Sequence, residues 1–349
     1  MEYIALIVSF VTTVILTPVV KKLAIKIGAI DKPNQRKVHS KVMPRLGGLS
    51  IYITFMGWLI FFQSNSEYVW YLVIGGTIIV IVGLLDDIIE LSAKVKFAGQ
   101  ILAAVVISTG VQIEFINLPF DATLEFGMWS IPLTILWIVG VSNAINLIDG
   151  LDGLASGVSA IALLTISGLA ISMGNTFSIF AGLILLGSTV GFLLYNFYPA
   201  KIFLGDTGSL FLGFMISVLA ILGFKNVTVF SIIIPIIILG VPISDTFFAM
   251  IRRIIQNKPI TAPDKFHLHH CLLKLGYSHR TSVLIIYAMS ALFGIAAIIF
   301  TKSTLWVSIT VLVVLTLVIE LMVEITGLIG RKYRPILSFF IPDNVKDEL

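Results

Sequence analysis

The chain places two amides and two carboxylates in one short stretch, Asn143-Ala144-Ile145-Asn146-Leu147-Ile148-Asp149-Gly150-Leu151-Asp152-Gly153. The surrounding sequence is apolar, because 58% of the 349 residues are hydrophobic and only 12% are charged. A carboxylate in apolar surroundings is costly unless it is paired, solvated or bound to a metal ion. The stretch therefore predicts a wet, polar cavity inside an apolar protein.

The spacing of the polar residues in this stretch indicates one face of a helix. Asn143, Asn146 and Asp149 are three residues apart, so they drift by only about 60° per step around a helix axis. Gly150 is typical of a helix end, and Asp152 is then a candidate cap for the next helix. The simpler alternative is a pair of Asx caps in a loop at the membrane surface.

Length and composition favour an all-α polytopic membrane protein. The mean hydropathy is +1.04, and a soluble chain of this size carries about twice the charge. The single cysteine, Cys271, excludes an internal disulfide and a multi-cysteine metal cluster. We expect one integral membrane domain over residues 1–349. Apolar runs of about 17 to 25 residues predict eleven spans, at residues 3–20, 47–63, 69–85, 97–112, 129–146, 154–173, 178–197, 208–224, 228–251, 281–300 and 305–327.

Basic residues predict the orientation of these spans. Of the 23 lysines and arginines, 21 fall on one side of the eleven-span topology, and only Lys225 and Lys302 fall on the other. The positive-inside rule then places the N-terminus outside and the C-terminus in the cytoplasm. The connection 113–128 predicts a small external β-hairpin around Asp121 and Ala122. Two prolines, Pro235 and Pro242, predict a kink in the ninth span.

A pair of acids, Asp86 and Asp87, ends the third span. The helix dipole is negative there, so carboxylates are poorly placed for a purely structural role. Adjacent like charges raise one pKa or attract a cation, which suits a general base or a magnesium site. Lys94 and Lys96 follow closely and can meet phosphate oxygens. The alternative is a solvated acidic helix end with ordinary anchoring lysines.

Two further segments on the predicted cytoplasmic side combine glycine with charge. Asp206 lies in Phe203-Leu-Gly-Asp-Thr-Gly-Ser209, where it is either a magnesium ligand or the cap of the eighth span. The segment lacks the Gly-Lys-Ser/Thr of a P-loop. Arg45, in Pro44-Arg-Leu-Gly-Gly48, either holds the phosphate of a lipid substrate or belongs to a loop that anchors to lipid head groups.

Three histidines lie in a basic loop near the end of the chain, His267-Leu-His269-His270. Phosphate or sugar recognition is favoured over zinc, because zinc sites need three or four ligands and no further partner is evident. A merely solvated loop is the remaining alternative. Asp245, in the ninth span, is either functional or the partner of Arg252 two helical turns away. Glu320 and Glu324 form an acidic pair in the last span without an assigned role.

Together these motifs resemble the polyprenyl-phosphate N-acetylhexosamine-1-phosphate transferase family, glycosyltransferase family 4. The resemblance covers nearly the whole chain, and the arginine and histidine motifs resemble its GlcNAc-phosphate branch. It implies transfer of GlcNAc 1-phosphate from a UDP-sugar to undecaprenyl phosphate at the cytoplasmic face, with release of UMP. By similarity, Mg²⁺ is the expected cofactor, with Mn²⁺ as a substitute, and Asp206 is its ligand. Such a reaction starts the synthesis of a cell-wall glycopolymer such as teichoic acid or lipopolysaccharide O-antigen.

The resemblance also implies residue roles. Asp86 would deprotonate or position the lipid phosphate with support from Asp87, and Asn196 and Lys96 would lie near the diphosphate. The remaining expected substrate contacts are Arg45, Asn143, Asn146, Asp149, Asp152, His267, His269 and His270.

Two alternatives stay open at this stage. The same scaffold can use another UDP-sugar, such as UDP-MurNAc-pentapeptide, or the protein is a transporter or lipid flippase. A transporter predicts acids near the bilayer midplane and often repeated halves, whereas these acids lie at predicted helix ends and no internal repeat is visible. The expected partners are the lipid bilayer, the two substrates and no nucleic acid, and a homodimer is left open.

Overall fold

A computed structural model of the chain describes residues 1–31, 42–117, 123–224, 232–259, 264, 266–330 and 333–339. These residues are mostly helical. The helices are α1 (Glu2–Ile27), α2 (Gly48–Gln63), α3 (Tyr68–Ile89), α4 (Ala93–Ser108), α5 (Ser130–Ile148), α6 (Leu154–Met173), α7 (Thr176–Asn196), α8 (Gly205–Phe224), α9 (Ile233–Ile238), α10 (Gly240–Ile255), α11 (Leu268–Lys274), α12 (His279–Lys302) and α13 (Leu305–Thr326).

Within the described ranges, eight helices are long and apolar enough to cross a membrane, so the chain is a multi-pass membrane protein. They are α1, α3, α5 with the turn before it, α6, α7, α8, α12 and α13. The other predicted spans are shorter. α2 and α4 have 16 residues each, or about 24 Å of helix, against a hydrocarbon layer of about 30 Å. The count of eleven spans therefore stays a prediction.

The predicted ninth span is interrupted rather than continuous. Its helical geometry breaks at Leu239, between α9 and α10. Pro235 lies within α9 and Pro242 lies in the first turn of α10. Because proline cannot donate a backbone hydrogen bond, a helix weakens at such positions. The break therefore lies between the two prolines that predict a kink.

In the part of the chain that the structure describes, two short antiparallel sheets accompany the helices. In the first, β1 (Ile30–Asp31) pairs with β2 (Met43–Pro44) and closes the loop after α1, whose residues 32–41 lie outside the described part. In the second, β3 (Phe115–Asn117) pairs with β4 (Thr123–Glu125). This second sheet confirms the strand pairing of the predicted hairpin, while its turn at Asp121 and Ala122 lies outside the described residues.

Helix α8 forms the centre of the molecule and is buried along its whole membrane-length window. It packs against α3 and α5, among other helices. Glycine permits the close contacts at its start, because a side chain on Gly48 of α2 would collide with Gly208 and one on Gly83 of α3 would collide with the Thr207 backbone. The beginning of α8 is therefore held close to the end of α3 and the beginning of α2.

Candidate active site

Three helix ends and one loop meet at one end of the molecule. The last turn of α3 supplies Asp86 and Asp87, the first turn of α4 supplies Lys96, and the first turn of α8 supplies Asp206. The loop before α2 supplies Arg45, which is fixed by a β-bridge to Phe203 before α8. Polar residues that are distant in sequence thus converge, as a shared pocket requires.

Asp87 is bound entirely by protein groups. Its side chain is 0% exposed and lies 2.9 Å from both Nε and Nη2 of Arg45. The backbone N–H groups of Asp206 and Thr207 donate to its two carboxylate oxygens over 2.9 and 3.0 Å, and the Thr207 hydroxyl donates over 2.7 Å. Because the first N–H groups of a helix lack intrahelical partners, Asp87 serves as a cap for α8. It leaves no free oxygen for a substrate.

Asp206 lies within the first turn of α8 and does not cap that helix. One of its oxygens is in contact with Nζ of Lys96, and the other lies 3.6 Å from Nη2 of Arg45. Lys96 Nζ also lies 3.5 Å from an oxygen of Asp86 and 3.5 Å from Oδ1 of Asn146. A carboxylate flanked by two cations therefore faces the pocket.

Asp86 differs from its neighbour because its carboxylate is partly accessible. Its side chain is 14% exposed, and Oδ1 accepts a hydrogen bond of 2.9 Å from the backbone N–H of Leu91. The other oxygen faces Lys96. Lys94, by contrast, is exposed. Of the two adjacent acids, Asp86 is the one that a ligand can reach.

The polar face predicted for the end of α5 is present. Asn143 donates 2.5 and 2.8 Å hydrogen bonds to Gln100 of α4 and to the Val139 carbonyl. Asn146 donates to the Ser209 hydroxyl over 2.8 Å. These contacts tie α5 to α4 and α8, and they leave Oδ1 of Asn146 directed toward Lys96.

Asp149 follows α5 directly and accepts no hydrogen bond from the described residues. Withdrawal from water raises the pKa of its carboxyl to about 7, and the charge of Asp87 adds to the effect while Arg45 opposes it. A half-buried carboxyl without a partner is a strong candidate for a ligand contact, since such groups otherwise destabilise a fold.

Asp152 and Asn196 hold the loop between α7 and α8. Asp152 accepts a 2.9 Å hydrogen bond from the backbone N–H of Ala200. The prediction that it caps α6 is wrong, because Gly153 occupies the cap position and no side chain bonds there. Asn196 is 3% exposed, accepts from the Ser156 hydroxyl over 2.6 Å and donates to the Ile202 carbonyl over 3.1 Å. Both side chains are used in protein contacts.

The histidine loop, residues 267–270, begins with a hydrogen bond across the fold. His267 Nδ1 lies 2.9 Å from Oδ2 of Asp245. The alternative that paired Asp245 with Arg252 is therefore wrong, and Arg252 instead contacts Asp264 and the Leu328 carbonyl. Helical periodicity showed that Asp245 and Arg252 share a face, but the loop that returns to α10 supplies each with another partner.

The rings of the next two histidines, His269 and His270, are in contact at an angle of 45°, with centroids 4.1 Å apart. His269 is 3% exposed, and its Nε2 has no hydrogen-bond partner among the residues that the structure describes. Burial, and then the neighbouring imidazoles, hold the pKa of His269 well below its ordinary value, so the ring is neutral at pH 7. Its ring edge lies against Gly150, where any side chain would collide with it. His269 thereby connects the histidine loop to the stretch that ends in Asp149.

The acidic pair in the last span has a structural role. Glu324 is 1% exposed and accepts 2.7 Å hydrogen bonds from the backbone N–H groups of Ile336 and Leu337. Glu320 is hydrogen-bonded to the Tyr333 side chain. The two acids therefore fasten the segment after α13 to the helix itself.

Sequence reasoning missed several polar residues that complete the site. Thr207 and Ser209 were visible in the motif around Asp206 but had no assigned role. Gln100, one helical turn after Lys96, is a buried amide in an apolar helix, which was a usable signal. Asp264 gave no such signal in the sequence, because its importance comes from its contact with Arg252.

The fold and the site together define a class, namely an integral membrane protein whose charged residues meet at its helix ends. Both Lys96 and Arg45 face carboxylates in that pocket. Such a pocket suits a ligand that carries anionic groups, since cations near an apolar medium bind phosphate strongly.

Comparison with known proteins assigns the family. The sequence model of glycosyl transferase family 4 matches residues 69–224 of this chain. The chain is 50% identical to the probable undecaprenyl-phosphate N-acetylglucosaminyl 1-phosphate transferase of Bacillus subtilis, over 97% of this chain and 95% of that protein. It therefore belongs to glycosyl transferase family 4, which confirms the resemblance carried by the motifs.

Other relatives have different acceptors or donors in their names. The chain is 34% identical to the decaprenyl-phosphate N-acetylglucosaminephosphotransferase of Mycolicibacterium smegmatis, over 86% of this chain and 84% of that protein. It is 33% identical to the phospho-N-acetylmuramoyl-pentapeptide-transferase of Halalkalibacterium halodurans, over 84% of this chain and 96% of that protein.

Proposed function

We propose that this protein transfers GlcNAc 1-phosphate from UDP-GlcNAc to undecaprenyl phosphate, giving undecaprenyl-diphosphate-GlcNAc and UMP. An oxygen of the lipid phosphate forms a bond to the sugar-bearing phosphorus of the donor, and the bond from that phosphorus to UMP breaks. The observation that carries the proposal is the group formed by Arg45, Lys96 and Asp206 at the start of α8. The names of the relatives supply the substrates.

The site suits phosphoryl transfer on physical grounds. Such reactions depend mainly on positioning and on neutralising the phosphate charge. Arg45 and Lys96 supply two positive charges, and Asp86 is the accessible member of the acidic pair that can accept a proton from the lipid phosphate. Asn146, fixed by Ser209, helps to hold Lys96 in place.

Mg²⁺ is the cofactor that we propose for this reaction, with Mn²⁺ as a substitute. Among the described residues no three acidic, histidine or cysteine side chains converge as a metal site. Oxygens of Asp206, Asp86 and Asn146 nevertheless surround the Lys96 ammonium, so this position already accommodates a cation. Mg²⁺ typically uses one or two carboxylates together with substrate phosphates and water. Asp206 would hold the ion, which when bound neutralises charge on the diphosphate.

We further propose that residues 1–349 act as one integral membrane domain with eleven spans, and that the site faces the cytoplasm. The distribution of basic residues supports an external N-terminus and a cytoplasmic C-terminus in the cell's inner membrane. A cytoplasmic site gives access to a soluble UDP-sugar while the lipid acceptor stays in the bilayer. The product would start a cell-wall glycopolymer such as teichoic acid or lipopolysaccharide, and a homodimer is compatible with this role.

A second donor is favoured by one relative. The pentapeptide transferase of Halalkalibacterium halodurans shares the scaffold, so UDP-MurNAc-pentapeptide is the alternative substrate. A panel of radiolabelled UDP-sugars with undecaprenyl phosphate distinguishes the two. Incorporation of the pentapeptide donor without incorporation of UDP-GlcNAc would replace the first proposal.

The test of the reaction is UMP release by the purified protein, with UDP-GlcNAc and undecaprenyl phosphate, in Mg²⁺ and in EDTA. We expect release only when both substrates and the metal are present. Asp206→Asn should abolish release while the protein keeps its wild-type thermal unfolding midpoint. Full turnover in that variant would remove Asp206 from the proposed metal site.

A further inference from the structure

Asp245 is the most completely buried acid near the histidine loop, and the proposed reaction gives it no role. It lies on α10 with 1% of its surface exposed. One carboxylate oxygen accepts a 2.7 Å hydrogen bond from the backbone N–H of Leu268, and the other lies 2.9 Å from Nδ1 of His267. Asp245 therefore contacts two successive residues of the loop, one through the backbone and one through the ring.

The chemistry of this contact determines where His267 carries its proton. An ionised carboxylate only accepts hydrogen bonds, so Nδ1 of His267 is the donor. The opposite ring nitrogen, Nε2, has no partner among the described residues and is the atom left for a ligand. In histidine sites the group bound to one nitrogen sets the tautomer and the role of the other.

The position of His267 also affects the other histidines of the loop. Its ring is parallel to that of His269, with an angle of 5° and centroids 6.1 Å apart. His269 in turn lies against Gly150, next to the unpartnered carboxyl of Asp149. Asp245 of α10 holds residues 267 and 268 in place. The approach of the histidine loop to the end of α5 is therefore fixed as well.

We propose that Asp245 is a positioning residue for the transfer reaction, which holds the ring and the tautomer of His267 so that Nε2 faces the substrate. The inference rests on the proposed function. It differs from a purely structural role, in which any side chain that accepted the Leu268 N–H would serve equally well.

Asp245→Asn separates the two roles. The Asn carbonyl can still accept from Leu268, but its amide donates to Nδ1 and thereby reverses the tautomer of His267. We expect kcat to fall by about 10- to 100-fold, the usual range for a misplaced active-site group, with little change in the thermal unfolding midpoint or in KM for undecaprenyl phosphate. Asp245→Glu, which keeps the acceptor, should retain more activity than Asp245→Asn.

The matched control is Ser244→Ala on the same helix. Ser244 is buried, and among the described residues its hydroxyl donates only to the Val241 carbonyl of its own helix, so we expect wild-type kcat. The decisive measurement is a double-mutant cycle with His267→Ala. If Asp245 acts through His267, adding Asp245→Asn to His267→Ala should cause no further loss.

Three results would overturn the inference. The first is a wild-type kcat in Asp245→Asn. The second is a double variant in which the kcat losses of Asp245→Asn and His267→Ala multiply. The third is an Asp245→Glu variant that is no more active than Asp245→Asn. The failure of the proposed function looks different, because the wild-type protein would then release no UMP from UDP-GlcNAc and undecaprenyl phosphate at all.

Discussion

Adjacent residues in one motif have different environments in this protein. Asp86 and Asp87 are neighbours at the end of α3, yet Asp87 is enclosed by Arg45 and the start of α8 while Asp86 reaches the pocket. The sequence predicted a shared catalytic or metal-binding role for the pair. The contacts instead indicate that Asp87 organises the site and that Asp86 is available to a substrate.

Replacing Asp87 should therefore damage the fold as well as the reaction. Asp87→Ala leaves Arg45 and the first N–H groups of α8 without their acceptor, and loss of one partner of a buried ion pair costs about 3–5 kcal/mol. We expect a clear drop in the thermal unfolding midpoint together with loss of UMP release. Asp86→Ala, the matched control, should lose activity with a much smaller drop. Wild-type melting of Asp87→Ala would contradict the capping role.

Asp149 makes the stability of the protein depend on pH. The folded protein raises the pKa of Asp149 to about 7, whereas an unfolded Asp titrates near about 3.9. The folded state therefore binds this proton more tightly than the unfolded state does. The protonated Asp149 carboxyl thus contributes stability that is fully present below about pH 4 and is lost as the pH rises to about 7.

Asp149→Asn removes this dependence. In EDTA, we expect the variant to gain stability relative to the wild type between about pH 4 and pH 7, and the difference to stay constant above that range. Thermal unfolding across this pH series measures it. If the unfolding midpoints of the two proteins changed in parallel with pH, the Asp149 carboxyl would not be withdrawn from water.

At the scale of the elements, the site depends on how closely α2, α3 and α8 approach one another. Gly48 faces Gly208 across the contact between α2 and α8, and Gly83 faces the Thr207 backbone. The glycines of the arginine motif and of the Asp206 motif are thus explained by packing. They permit the helix ends to meet, and the charged side chains next to them then share one pocket.

Gly48→Ala tests this packing. The added methyl group would collide with Gly208, and overpacking of this kind costs about 1–3 kcal/mol. We expect a lower unfolding midpoint and reduced turnover, because the start of α8 carries Asp206. Gly57→Ala on the same helix is the control, since its methyl group would meet no atom within 4 Å. An equal effect of both substitutions would indicate a general change in α2 rather than a contact with α8.

At the scale of the whole molecule, the proposed topology places the turn before α4 and the turn before α5 on opposite sides of the membrane. Ser92 and Met128 lie in these turns and are exposed. Cys271, the single native cysteine, is buried. Single cysteines at positions 92 and 128, in a Cys271→Ser background, therefore report the two sides separately.

We expect a membrane-impermeant maleimide to label the cysteine at 92 only in inside-out vesicles and the one at 128 only in right-side-out vesicles. This pattern follows from an external N-terminus and from α4 crossing the membrane despite its 16 residues. Labelling of both positions from one side would mean that α4 does not cross, and the eleven-span count would then be wrong.

The sequence by itself determined the class of protein, the location of most helices and the five polar motifs. It could do so because apolar length, charge and glycine position act locally along the chain. Tertiary structure decided what each polar residue does. Whether Asp87 caps a helix, Asp152 holds a loop or Asp245 binds His267 depends on donors contributed by residues 20 to more than 100 positions away. No periodicity encodes such partners, since a carboxylate in a low-dielectric interior is defined by the groups that happen to surround it.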